Sequence, residues 1–371
     1  MTDNQRLFLD VHVIQTLPPA NINRDDTGSP KTAQYGGVRR ARVSSQAWKK
    51  AMRKYFYTHS EQSNVSVRTK DLTGFLAKHI ENIFPDKKNS RELANKVIER
   101  LTLKKNGKEV KIFAFDKDKK DKLETLAFIS NSQARDLVTL ALNDEKASST
   151  QLRETLKKHP GIDIALFGRM VASDPSLNED ASAQVAHAIS THKVENEFDF
   201  FTAMDDLQTT DQAGAGMLGS VEFNSATLYR YANVAVHQLL LQLDNQEMTV
   251  NALKLFIESF ANSLPTGKVN TFANQTLPQF LMVNLRADRP VSLVSAFEEP
   301  AQAKGGYLIP SIAKLAEEFA SSAKFTRQPL LSMYLTATPH QSLTDIGEEK
   351  SSLPALLNDF ATQVATFIKQ D

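Results

Sequence analysis

The β-forming segments of this chain fall in two separated groups, one at the N-terminus and one after about residue 220, and that spacing constrains its fold more than any other feature. Near the N-terminus Leu7, Leu9, Val11 and Val13 alternate with Phe8, Asp10, His12 and Ile14. This is the period-two pattern of a strand with one strongly apolar face. Comparable signals return only after about residue 220, in Val221, Phe223 and the run from Ala226 to Val236, and again from Phe280 to Leu285. Residues 61–180 carry helical spacing instead: Leu72, Phe75, Leu76, His79, Ile80 and Ile83 form one stripe, and Leu137, Leu140 and Ala141 another. A single sheet requires the chain to leave after its first strand and helix and to return. The fold class expected is therefore α+β, with a large helical insertion and helices packed on one side of the sheet. Val250, Leu253, Ile257, Phe260 and Leu264 line a further helix that stops before Pro265.

Behind the first strand, charge concentrates. A polar loop from Asn21 to Gly37 holds Gly28, Pro30 and a Gly36-Gly37 pair as breakers. Ser44 or Ser45 is a candidate N-cap. After it Trp48, Ala51, Met52, Tyr55 and Phe56 recur at helical spacing, with Lys49, Lys50, Arg53 and Lys54 on the other side. From Thr27 to Ser60 there are eight Lys or Arg residues and no Asp or Glu, in a chain whose totals are 44 basic and 43 acidic. A solvated helix face usually mixes signs, because Glu–Lys pairs one turn apart stabilise it and like charges destabilise it. A bound phosphate chain would offset that repulsion. The window reads as a polyanion-binding surface, with a plain solvated face as the alternative.

Two other segments stand out. The stretch Lys104 to Lys122 holds eight lysines and four acids; it reads as a mobile solvated loop first and an auxiliary nucleic-acid contact second. The stretch Asn196 to Asn224 opens with Phe198-Asp-Phe-Phe201 and reaches Gly214-Ala-Gly-Met-Leu-Gly219. No apolar strand precedes these glycines and no helix follows, so a protruding hairpin is expected rather than a dinucleotide site. Phe200 and Phe201 would be core in most settings; on a protruding hairpin at least one would be exposed to stack on bases.

Several chemistries are excluded. With no cysteine there is no disulfide framework, thiolate nucleophile or zinc finger. No apolar run is long enough to span a membrane, and the N-terminus lacks a signal-peptide layout, so a soluble cytoplasmic protein is expected. Neither a P-loop nor a G-x-S-x-G or H-E-x-x-H motif occurs, and no metal or cofactor is expected. His187 and His192 read as structural. Asp25 and Asp26 are adjacent carboxylates beside basic residues, which admits phosphodiester cleavage; a turn with a salt bridge to Arg24 is the plainer reading. Binding outranks catalysis.

The residues also carry a resemblance. Asn23-Arg-Asp-Asp26, Gly36-Gly-x-Arg-Arg-x-Arg-x-Ser-Ser-Gln46, Lys49-x-Ala-Met-Arg-Lys54, Gly161-Ile-Asp-Ile-Ala-Leu and Gly168-Arg-Met170 form one set. Ala186-His-Ala-Ile-x-Thr-His192, Asp205-Asp-Leu207 and Tyr229-Arg-Tyr-Ala-Asn233 form another. In order along residues 7–312, they resemble the backbone subunit of the type I-E CRISPR Cascade complex, the CasC family. The resemblance implies a palm with a modified RRM (ferredoxin-like) sheet over 1–59 and 182–371. It also implies a helical fingers insertion over 60–181 and a thumb hairpin at about 196–224. Copies would stack as a helical filament along a CRISPR RNA, in company with the large, belly and cap subunits and the RNA endonuclease. The guide's displayed bases would pair with a target DNA strand. Arg24, Lys31, Arg40, Arg42, Ser44, Gln46, Lys49, Lys50 and Arg53 would hold guide phosphates and riboses. Arg169 and Met170 would sit near a kinked nucleotide, with Phe200 and Phe201 as the thumb's wedge. Phe200 stands where a tryptophan is expected, which keeps stacking with less area. Asp25 and Asp26 keep open a second reading, an RNA endonuclease like the type III backbone relatives, and a protein scaffold is a third.

Overall fold

The computed structural model describes residues 6–61, 64–119, 121–203, 217–303, 305–338, 343 and 345–368. Asp205, Asp206, Leu207, Gly214 and Gly216, which the motifs above include, lie outside the described residues. The chain divides into two compact units. The first takes Met1–Tyr55, Val185–Ala235 and Phe256–Ile368; the second takes Phe56–Gln184, Val236–Leu255 and Lys369–Asp371. The segment Val236–Leu255, expected with the later strands, belongs to the second unit.

In the first unit the separated β segments form one sheet. Its strands run in the spatial order Glu348–Glu349, Leu331–Thr336, Phe280–Arg286, Phe8–Ala20, Met217–Ala235, Ala188–Ser190, Val38–Val43, Thr32–Tyr35. The strand Phe8–Ala20 is central and antiparallel to both neighbours, with Val13 opposite Arg230 on one side and Leu281 on the other. Only the short edge strand Glu348–Glu349 adds in parallel among these described pairings.

Helices cover both faces of this sheet, which corrects the one-sided arrangement expected. Asp10 and His12, which alternation assigns to a polar face, are buried. The Tyr231 hydroxyl donates to Asp10 Oδ1 at 2.7 Å, the Val291 N–H donates to Asp10 Oδ2 at 3.1 Å, and His12 Nδ1 lies 2.9 Å from the Tyr229 hydroxyl. These polar groups sit in a second core with Ile14, Phe280, Ile312 and Leu315, the last two from the helix Leu308–Ser322. On the opposite face Arg230 meets Trp48 of the helix Ser45–His59 and Phe260 of the helix Gln246–Asn262. A polar residue tolerates burial when its hydrogen bonds are made inside, so alternation alone misreads a central strand covered twice.

The loop Asn21 to Gly37 contains a strand that the sequence reading missed. Thr32–Tyr35 pairs with Val38–Val43, turned by Gly36 and Gly37 with φ of 57° and 74°. Positive φ at both central residues is what a tight type I′ hairpin turn needs. Gly36 is also required by space, since a Cβ there would lie 1.6 Å from the Glu298 carbonyl oxygen.

The second unit is helical around a core that includes Leu76, Ile80, Val97, Ile98, Leu137 and Val138. Ser66–Thr69 pairs with Ala127–Ser130, and Thr102–Lys105 with Lys108–Lys111. Part of the lysine-rich stretch is therefore a hairpin, turned at Asn106-Gly107, rather than the loop expected. Among the described residues no helix is long and apolar enough to cross a membrane.

Candidate nucleic-acid interface

The basic surface is assembled where the first hairpin feeds the helix Ser45–His59. Ser44 is its N-cap: the Ala47 N–H donates to Ser44 Oγ at 3.3 Å. The Ser44 N–H donates to Asn23 Oδ1 at 2.8 Å and the Ser45 N–H donates to His187 Nδ1 at 2.9 Å. The loop, the helix start and His187 are thereby tied together. Since His187 Nδ1 accepts, its proton in the neutral form is on Nε2. Burial, then the nearby charges of Arg42 and Lys31, hold its pKa below the ordinary value. Lys31 and Arg42 are locked to each other through backbone, with the Arg42 N–H donating to the Lys31 carbonyl at 2.8 Å. The helix N-terminus, Lys31 and Arg42 thus form one electropositive corner, with the neutral His187 ring beside it.

Along the helix, Gln46, Lys50 and Lys54 are exposed, and Lys49 and Arg53 are half-buried. Desolvation lowers the Lys49 pKa from its ordinary value. Arg24 is exposed on the adjoining loop. Among the described residues, Lys31, Arg39, Arg42 and Lys50 have no carboxylate within ion-pair distance.

Two expected contacts are interior residues. The Arg40 guanidinium is fully buried and donates to the carbonyls of Tyr35, Ser190 and Phe297 at 3.1, 3.1 and 2.7 Å. In the second unit, Arg169 donates to the Leu177 and Leu156 carbonyls at 2.9 and 2.8 Å and to Gln133 Oε1 at 3.0 Å. Burial lowers its pKa to about 10. Both guanidiniums are committed to protein acceptors, so neither belongs with the phosphate contacts. Ser44 is also buried, and its oxygen serves the cap. Met170, next to Arg169, is 83% exposed.

Asp25 is a turn residue. Its Oδ1 accepts from the Thr27 N–H, the Thr27 hydroxyl and the Ser29 N–H at 3.0, 2.8 and 3.0 Å. The hydroxyl bond from Thr27 is the main reason its pKa lies below the ordinary value. Asp26 is exposed beside it, in an open depression of about 540 Å³ lined by Asn23, Arg24, Asp25, Asp26 and Gly267. No group of three or more His, Asp or Glu side chains placed to hold a metal occurs among the described residues.

The strand Glu197–Ala203 pairs antiparallel with the first part of Met217–Ala235, putting Phe198 opposite Glu222, Phe200 opposite Ser220 and Phe201 opposite Gly219. Alternation places Phe198 and Phe200 on one face of this hairpin and Phe201 on the other. Phe198 and Phe200 are 68% and 67% exposed, and Leu218 is exposed with them. Phe201 is only 37% exposed because its ring lies over Gly219, where an added Cβ would be 2.4 Å from Phe201 Cζ. The two phenylalanines expected to act alike therefore differ: Phe200 projects, and Phe201 covers a glycine. The sequence reading omitted Phe198, Leu218 and His187 as site residues. Period-two spacing from Phe200 was the available signal for Phe198; nothing local marks His187.

The family model described as CT1975-like protein matches residues 9–359. Among solved structures, a chain of "CRISPR RNA-guided surveillance complex, pre-nicking" is 31% identical, with a TM-score of 0.83 over 96% of this chain and 99% of that one. A chain of a "CRISPR RNA-guided surveillance complex" is 27% identical, with a TM-score of 0.65 over 96% and 99%. No curated protein matches by sequence. With a match that takes in nearly its whole length, the chain belongs to the CRISPR-associated family of CT1975-like proteins.

Proposed function

We propose that this chain is a non-catalytic, RNA-binding backbone subunit of a Cascade-type CRISPR surveillance complex, and more narrowly of the type I-E system. Its near full-length likeness to a subunit of an RNA-guided surveillance complex is the observation that carries the reading. Copies stack helically along the guide RNA. The corner of Lys31, Arg42 and His187 and the exposed face of Gln46, Lys50 and Lys54 take phosphates, whatever the bases. Contacts of that kind position the strand and carry no sequence information, so recognition of target DNA falls to base pairing, as in other RNA-guided effectors. The hairpin acts as the thumb: Phe198 and Phe200 stack beside displaced bases, and Phe201 stiffens it from behind. The sheet acts as the RRM-like palm and the second unit as the fingers. The large, belly, cap and endonuclease subunits are its partners.

The test is to express the chain with guide RNA and partner subunits, purify the assembly, and run the extracted nucleic acid on a denaturing gel with and without magnesium. One discrete RNA, intact in both lanes, is expected. Magnesium-dependent fragments that vanish in Asp25→Asn or Asp26→Asn would replace this reading with the endonuclease. A complex free of RNA would leave a protein scaffold.

A further inference from the structure

Arg230, in the middle of the strand Met217–Ala235, is a fully buried cation without a carboxylate partner among the described residues. Its guanidinium carbon lies 3.7 Å from the Trp48 ring centroid and 4.4 Å from that of Phe260. Nη1 donates to Gln15 Oε1 at 2.5 Å, Nη2 donates to the Phe260 carbonyl, and Nε has no partner. Burial lowers its pKa to about 9, so it remains charged at neutral pH. A charge out of water is costly unless something compensates it, and stacking on tryptophan is the most favourable cation–π contact. Here that contact falls on Trp48, the buried ring in the first turn of the basic helix.

Trp48 is fully buried on the inner side of the helix Ser45–His59, and Lys49 and Lys50 follow it directly. The guanidinium is held in place by Gln15 and Phe260, so the Trp48 ring that it lies over is held at a fixed position against it. With side chains a helix has a radius of about 5–6 Å, and a 30° roll would displace its outer cations by roughly 3 Å, enough to break a hydrogen-bonded phosphate contact. An aliphatic side chain at 230 would fill the space without setting an angle.

We propose that Arg230 is a positioning residue for RNA binding: by clamping Trp48 it sets the roll of the basic helix and so the placement of Gln46, Lys49, Lys50 and Arg53 against a phosphate chain. This rests on the RNA-binding reading above. The experiment uses the full-length chain and its Arg230→Met and Arg230→Lys variants. Each is titrated with an unstructured mixed-sequence RNA at several salt concentrations, alongside thermal unfolding and the emission of Trp48, the chain's single tryptophan.

Both variants should fold with a shifted Trp48 emission. The slope of log K against log salt should become shallower by about 1.4, two contacts at roughly 0.7 each for single strands. Lys50→Ala should lose at least half of its effect on affinity when combined with Arg230→Met, because the two act through one geometry. A lower unfolding temperature with an unaltered slope and the full Lys50→Ala effect would overturn the inference and leave Arg230 as core alone. If Arg230→Met does not fold, Trp48→Phe, which keeps a smaller ring under the helix but removes the only tryptophan, is held to the salt-slope and Lys50→Ala coupling outcomes alone. Absence of RNA binding by the unmodified chain would overturn the RNA reading and this inference together; normal binding with unmoved variants overturns only the latter.

Discussion

At Arg40 and Arg42, two residues apart on one strand, the same side chain has two uses. Arg40 gathers the carbonyls of Tyr35, Ser190 and Phe297 in the interior, while Arg42 is only partly buried at the basic corner. Removing a buried donor strands its acceptors, at about 1–3 kcal/mol for each group left unpaired. Arg40→Ala should therefore cost about 3 kcal/mol or more in urea unfolding, whereas Lys50→Ala should change stability by less than about 0.5 kcal/mol and act on RNA affinity instead. Equal stability losses would contradict the division. Asp10 supplies a pH test. Burial, outweighing the Tyr231 hydrogen bond, raises its pKa from 3.8 to about 7 in the folded chain. Between those values the folded state holds a proton that the unfolded state has lost, so this group's contribution to stability falls as pH rises through the window and levels off above about 7. His12, lowered by burial to about 3, acts oppositely: the unfolded chain takes up its proton below about 6.5, and stability is lost as pH falls. Asp10→Asn removes only the first effect. Its stability relative to the unmodified chain should rise from pH 4 to pH 7 in urea titrations; a constant difference would show that Asp10 does not titrate in that window.

At the scale of elements, hairpins explain both what the sequence made legible and what it concealed. Long segments with a clear period were readable: the first strand, the run after residue 220, the basic helix and the helix ending before Pro265. Thr32–Tyr35 and Lys108–Lys111 are four residues each and polar, too short for a period to register, although Gly36-Gly37 and Asn106-Gly107 marked their turns. The interior roles of Arg40 and Arg169 were not readable, because they depend on carbonyls that converge from distant segments. Arg230 escaped for the same reason. On the projecting hairpin, Phe201 over Gly219 resembles the cross-strand covering of a glycine by an aromatic ring, which stiffens a strand pair. Gly219→Ala would push the ring aside. Global unfolding should stay within about 1 kcal/mol, while limited proteolysis of the hairpin should accelerate; unchanged cutting would mean that Phe201 is not a stiffener.

For the whole molecule, the near-zero net charge is the quantity that misleads. Eight cations stand in one acid-free window, so the remainder is acidic, and a localised basic face can hold a polyanion without binding every one it meets. The central claim is that this face grips phosphates and ignores bases. Its most direct test is to measure affinity for two RNAs of equal length and unrelated sequence, across a salt series, for the unmodified chain and for Arg42→Ala with Lys50→Ala. The account predicts matching affinities for the two RNAs, weakened to the same degree in the variant, with a salt slope shallower by about 1.4 for two lost contacts. A variant that lost affinity for one RNA and kept it for the other would contradict it.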